Sequence, residues 1–324
     1  MQYEFLIAVA LLVALDVVCH IVAAVLIVPL FESPPPFRPE EGLPDPAADR
    51  IDFLTTHGLQ LRGAAFHTPH RPPRGVLLFC AEMGSNRWSA PHYCAGLLAN
   101  GFDLFAFDFR NQGESDCLPG YTASHWLTEF EIDDVLAAIA CVRAQPAWAG
   151  LPLGLLGVSR GGGAALIAAS RSDSVAGVAS DGAYSAADVL LHYARQWGHL
   201  YMPGWLFRLI PLWHIRLTLT LVLALSQWKR GCRYPSLHRA LKGLTHKPVL
   251  MISGELDTYV FPEMTHRLIL RAGHAPGDAW IAPGAKHNRA RFLNRDEYDQ
   301  RLIRFSEAWS QPLAKPHVKQ ELTR

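Results

Sequence analysis

Ser159 stands with a glycine two places to either side, in Gly157-Val158-Ser159-Arg160-Gly161. This G-x-S-x-G spacing follows the apolar run Leu153–Val158 and opens the small-residue stretch Gly161–Arg171. A strand would therefore lead through a sharp turn into a helix, with the serine hydroxyl pushed clear of the backbone. The glycines leave room where strand and helix crowd together, and the helix N-terminus favours developing negative charge. A serine hydroxyl is a weak nucleophile that needs a base, and the base needs an acid to orient it. Asp257 follows the apolar run Pro248–Ser253, in Gly254-Glu255-Leu256-Asp257, and His287 follows Ala279–Ala282, in Pro283-Gly284-Ala285-Lys286-His287-Asn288. With 15 histidines in the chain, His287 is singled out by position and not by type. Glu255 is the main rival for the acid, and Asp181 a second. The order serine, acid, histidine predicts acyl transfer: Ser159 attacks a carbonyl, His287 moves the proton, and Asp257 orients the imidazole. No metal or organic cofactor is implied.

The elements that must hold these residues alternate in type. Ile51–Thr56 and Leu59–His67, around His57-Gly58, predict an opening hairpin. Gly75–Ala81, Phe102–Phe107, Leu153–Val158, Val175–Ala179, Pro248–Ser253 and Ala279–Ala282 are short apolar runs of the kind buried parallel strands require. Between them, Ala90–Asn100, Ser124–Ala144, Gly161–Arg171 and Asp296–Trp309 have helical character. This alternation predicts an α/β protein with a mostly parallel sheet flanked by helices, and places the chemistry in loops at the carboxyl ends of the strands.

These segments resemble the α/β-hydrolase superfamily, particularly its serine-aminopeptidase-like and monoacylglycerol-lipase-like branches, over residues 50–310. Besides the Ser159, Asp257 and His287 segments, Asp108-Phe109-Arg110-Asn111-Gln112-Gly113-Glu114-Ser115 is similar to the family's D-x-R-G-x-G-x-S turn, with Asn111 in place of the first glycine. The resemblance implies the α/β-hydrolase fold and an oxyanion hole made by the backbone N–H groups of Met83 and Arg160. The family's His-Gly before that hole is replaced by Ala81-Glu82. Glu82 is expected to face outward, since a carboxylate facing the site would oppose a developing oxyanion; pairing with Arg87 or Arg160 is the alternative. The resemblance also implies a helical cap at about residues 185–246. That insertion is very apolar and carries Trp197, Trp205, Trp213 and Trp228. Tyr184, Trp197 and Trp205 are its candidate substrate-binding residues. Leu217–Leu225 has almost no polar face, which predicts a cap helix buried on the core, with Trp beside Arg or Lys at a membrane interface as the alternative. A pocket under such a cap favours a substrate with an acyl or alkyl chain.

Residues 5–30 form an apolar run interrupted only by Asp16 and His20. At 1.5 Å per residue such a helix reaches about 39 Å, enough to cross a hydrocarbon core of about 30 Å. No Lys or Arg precedes the run, and it is too long for a cleaved signal peptide. The expected organisation is a transmembrane anchor over 1–31, a Pro-rich linker over 32–49 and a hydrolase domain over 50–324. Arg38 and Arg50 after the span favour a cytoplasmic catalytic domain, and Asp16 is expected to face a partner helix or to be tolerated.

The 324 residues are 50% hydrophobic and 18% charged, and 30 Lys+Arg nearly balance 29 Asp+Glu. This excludes disorder and gives no basic face for nucleic acid. The six cysteines include no C-x-x-C pair or zinc spacing, which predicts reduced core thiols and favours a reducing compartment. The expected activity is a membrane-anchored serine hydrolase acting on a small-molecule acyl or lipid ester or thioester. The alternatives are a peptidase or acyltransferase on the same triad, or a non-catalytic membrane-tethered scaffold.

Overall fold

The computed structural model describes residues 2–36, 39–200 and 203–310. Arg38 and residues 311–324 of the expected domain lie outside them. The central sheet contains β1 (Asp49–Arg50), β4 (Gly63–Phe66), β5 (Gly75–Cys80), β6 (Phe102–Phe107), β7 (Leu153–Val158), β8 (Gly177–Asp181), β9 (Val249–Gly254) and β10 (Ala279–Ala282), while β2 (Phe53–Leu54) and β3 (Gln60–Leu61) form a separate small hairpin. The order across the sheet is β1-β4-β6-β5-β7-β8-β9-β10. The first two neighbouring pairs are antiparallel and the rest parallel. Every residue of β5, β6 and β7 is buried, which is why these strands are apolar throughout instead of alternating.

Helices cover both faces: α2 (Ala90–Ala99), α3 (Glu129–Ala144), α4 (Arg160–Arg171), α9 (Pro262–Arg271), α10 (Ala290–Leu293) and α11 (Arg295–Ser310). Two expected boundaries move. Helix α3 starts at Glu129 and not Ser124, because Thr128 and Glu131 close a capping box over its first turn. Strand β8 runs from Gly177 to Asp181, since Val175 is held in a turn by a bond from its N–H to Ser172 O. The opening hairpin is also shorter than expected, with β4 leaving it to pair with β6.

The cap lies between β8 and β9 and contains α5 (Ala186–Trp197), α6 (Gly204–Leu209), α7 (Leu212–Arg230) and α8 (Leu237–Leu241). It covers only part of its own apolar surface: in α7, Leu219, Val222 and Ser226 are buried, whereas Leu212, Trp213 and Leu217 are exposed. The expectation of a cap helix buried on the core is therefore half met. What α7 packs against is the N-terminal helix α1 (Gln2–Glu32).

Most of α1 is exposed, but His20, Ala24, Val28 and Phe31 are buried, at the spacing of one helical face. Phe31 stacks on Trp126 with ring centroids 4.5 Å apart, and its carbonyl accepts from the Trp126 indole at 2.5 Å. Glu32 accepts from Lys229 Nζ at 2.6 Å and Ser226 Oγ at 2.8 Å. The N-terminal helix is thus docked on the cap and not held apart by the linker. The cysteine expectation is met in part, since Cys80, Cys94 and Cys232 are buried but Cys19 and Cys117 are exposed.

Candidate active site

Strand β7 ends at Val158 and α4 begins at Arg160, leaving Ser159 alone in the turn with φ 52° and ψ −119°. Positive φ is strained for serine and is held here by tight surroundings. A Cβ on Gly157 would stand 2.2 Å from Gly161 O, and one on Gly161 would stand 2.3 Å from Cys80 O, so only glycine fits at either position. The Ser159 N–H donates to Asp181 O at 2.7 Å, tying the turn to the end of β8.

From β9, Gly254 leads to Asp257, which is buried. Its Oδ1 accepts from the N–H groups of Tyr259 and Val260 at 2.8 and 2.9 Å, and its Oδ2 lies 2.7 Å from His287 Nδ1. The other ring nitrogen, His287 Nε2, lies 3.0 Å from Ser159 Oγ. Three residues from three separate loops therefore form one hydrogen-bonded chain. Neither rival acid takes this place. Glu255 accepts from the Gly284 N–H at 2.8 Å, bracing the loop that carries His287. Asp181 meets the turn through its carbonyl, and burial pushes its carboxyl up to about 7.

The loop bearing Met83 follows β5, directly beside the start of α4: a Cβ on Gly161 would also approach Ala81 O to 2.4 Å. The expectation for Glu82 is corrected. Its side chain is buried and pairs with neither Arg87 nor Arg160. Instead Oε1 accepts from the Glu40 N–H and the Tyr93 hydroxyl, both at 3.1 Å, and Oε2 accepts from the Asn288 amide. Burial raises the Glu82 carboxyl above its ordinary value. These donors offset the cost of burying it, and they link it to the residue after His287.

Arg87 instead pairs with Asp108 and with Glu114 Oε2, the latter at 2.5 Å. The Arg160 guanidinium donates to Ser124 O at 2.6 Å and lies 3.4 Å from Glu131, so its side chain points away from the serine. Arg110 grips Asp134 through Nε and Nη2 at 2.9 and 2.6 Å. Asn111, the departure from the family's glycine, has φ 60°. Asparagine tolerates that conformation, and its side chain bonds Leu118 N at 2.9 Å and Tyr121 O at 2.9 Å.

Ser159 and His287 open onto a cavity of 710 Å³. Tyr184 and Trp197 line it as expected, while Trp205 is exposed on α6 and does not. His125 and Trp126 line it too, and burial brings the His125 imidazole down to about 4. Helix α1, which the expected cavity does not include, contributes Cys19, His20, Ala23, Leu26 and Ile27 to the wall. The available signal was the pair Asp16 and His20, one helical turn apart in an otherwise apolar run. Asp16 lies 3.6 Å from His20 Nε2 and 3.4 Å from His214 Nε2 on α7, so it faces a helix of its own chain. Among the described residues, these three are the group whose donor atoms approach closely enough to hold a metal, within 4.8 Å of one another.

Residues 71–234 match the family described as serine aminopeptidase, S33. The chain belongs to this family of hydrolases. The match includes Ser159 and the Met83 loop, with Asp257 and His287 beyond its end. An esterase of Pyrococcus furiosus superposes with a TM-score of 0.61 at 20% identity, covering 86% of this chain and 97% of that one. An α/β hydrolase from Penicillium superposes equally well at 0.61 and 18% identity, covering 83% of this chain and 100% of the other. The fold is that of the α/β hydrolases. In sequence, a thiohydrolase of Aspergillus aculeatus is 32% identical over 126 residues, which span 37% of this chain and 36% of that relative.

Proposed function

We propose that this S33-family chain is a membrane-anchored serine hydrolase that cleaves a lipid-like ester or thioester. The observation that carries this reading is the chain of contacts from Asp257 through His287 to Ser159, at 2.7 and 3.0 Å, opening onto a largely apolar cavity. His287 Nε2 takes the Ser159 proton as Oγ attacks the carbonyl carbon, and the Asp257 carboxylate steadies the imidazolium that forms. The Met83 and Arg160 N–H groups receive the oxyanion. The imidazolium then protonates the leaving alcohol or thiol, and a water activated by His287 releases the acid from the acyl-enzyme. Residues 5–30 lie in the bilayer, residues 32–49 connect the anchor, and residues 185–246 form the cap over the hydrolase domain. The relatives named esterase and thiohydrolase support ester or thioester chemistry.

Labelling by a fluorophosphonate probe tests the nucleophile. Detergent-solubilised wild type is expected to label, and Ser159→Ala, folded by its circular dichroism and melting curve, is expected not to. Absence of labelling in folded wild type overturns the serine-hydrolase reading. Equal labelling of both proteins overturns Ser159 as the nucleophile.

A further inference from the structure

The N-terminal helix does more than attach the protein to a membrane. Cys19, Ala23 and Ile27 on α1 line the same cavity as Ser159 and His287, and they recur at the four-residue spacing of one helical face. The adjoining face carries Ala24, Val28 and Phe31 and is buried. The remainder, including Val22 and Val25, is exposed and apolar. One helix therefore docks, lines and faces outward at the same level. From Cys19 to Leu30 the wall extends about 16 Å along the helix axis, within the segment expected to lie in hydrocarbon.

The cap is apolar on its outside as well. Trp205, Leu209 and Trp213 are all exposed and lie outside the cavity lining. Such a patch beside a membrane helix fits a cap sunk into the bilayer surface. Polar contacts fix the helix in register: Asp16 between His20 and His214, and His20 Nδ1 at 2.7 Å from Thr218 Oγ1. A cavity whose wall is itself a membrane helix can receive a chain that never leaves the lipid phase.

Resting on the proposed hydrolase function, we propose that α1 forms the acyl-chain site. The aliphatic tail of a membrane-resident ester or thioester slides in between α1 and the cap, and Ala23 and Ile27 limit the chain length that fits. The carbonyl then reaches Ser159 while the tail stays against α1.

The test uses full-length protein in detergent micelles and the ratio of p-nitrophenyl palmitate to p-nitrophenyl acetate hydrolysis. A single methylene in an apolar pocket is worth about tenfold or more, so Ala23→Trp is expected to lower that ratio at least about tenfold, with Ala23→Leu as the milder variant. Val22→Trp, on the exposed face, is expected to keep the wild-type ratio. An unchanged ratio in a folded Ala23 variant, with wild type active on the acetate, overturns the acyl site but not the hydrolase function. Wild type inactive on both esters overturns the function. A second readout needs no turnover. In vesicles, folded Ser159→Ala exposed to a diazirine-bearing fatty acyl phospholipid is expected to crosslink at Cys19, Ala23 and Ile27, and Ala23→Trp to reduce that yield. Crosslinking confined to Val22 and Val25, unaffected by Ala23→Trp, overturns the acyl site even without activity.

Discussion

At the scale of single residues, the site depends on buried carboxyls with different tasks. Asp257 is the acid that meets His287, while Glu82 holds Asn288, Glu40 and Tyr93. Glu82→Ala would leave those donors unpaired in a dry region and is expected to cost about 1–3 kcal/mol in chemical denaturation. Glu82→Gln keeps most of the contacts and is expected to stay close to wild type in stability. A positioning role predicts more than a fold defect. Glu82→Ala is expected to lower kcat by more than its loss of folded protein accounts for, and Glu82→Gln, which keeps the Asn288 contact, to restore most of it. Asp181 offers a separate test. Its carboxyl is raised by burial to about 7, against about 3.9 in an unfolded chain. The folded state therefore binds the extra proton between those values, so the stability that Asp181 contributes is fully present below about pH 4 and is lost as pH rises through about 7. Asp181→Asn is expected to flatten the melting temperature between pH 5 and pH 8, and an unchanged slope would remove Asp181 as its cause. Residue type and spacing made the meeting of Ser159, Asp257 and His287 legible, because each follows an apolar run that reads as a strand. Glu82 was misread because its partners come from Glu40, Tyr93 and Asn288, contacts that no local pattern announces.

At the scale of elements, local signals located strands better than boundaries. Phe102–Phe107 and Leu153–Val158 are found as read, because continuous apolar runs end where the buried sheet ends. Helix α3 was drawn too long because Leu127 and its neighbours continue the apolar pattern through a cap that Thr128 actually closes. Replacing that cap tests its weight: Thr128→Ala removes the Thr128 bond to Phe130 N and loosens Tyr121 and Glu131. The expected cost is about 1 kcal/mol, read as a lowered urea midpoint with unchanged slope. The contribution of α1 to the cavity was not legible, since a helix apolar on every side gives no periodicity to show which face is docked. Only the polar interruptions Asp16 and His20 marked it, and their partners His214 and Thr218 lie on a helix far along the chain.

At the scale of the whole molecule, the question is whether α1 is a removable anchor or a part of the fold. A removable anchor predicts that deleting residues 2–36 yields a soluble, unchanged hydrolase. The packing predicts otherwise. Without α1, Trp126 loses the stacked Phe31 ring and the carbonyl its indole meets, and Leu219 and Val222 of α7 lose the face they bury against. Burial of a single large apolar side chain is worth about 1.5–3 kcal/mol, and several are exposed together here. The cavity would also open along the wall now supplied by Cys19, Ala23 and Ile27. The truncated chain is therefore expected to melt several degrees below the full chain in the same detergent and to bind more of an apolar dye. Its activity on long-chain esters should fall much further than on short ones, because Ser159, Asp257 and His287 come from loops that α1 does not carry. A truncated protein with the full-length melting temperature and chain-length preference would reduce α1 to a tether. A protein that loses both would show that one helix serves as cap support and substrate wall together.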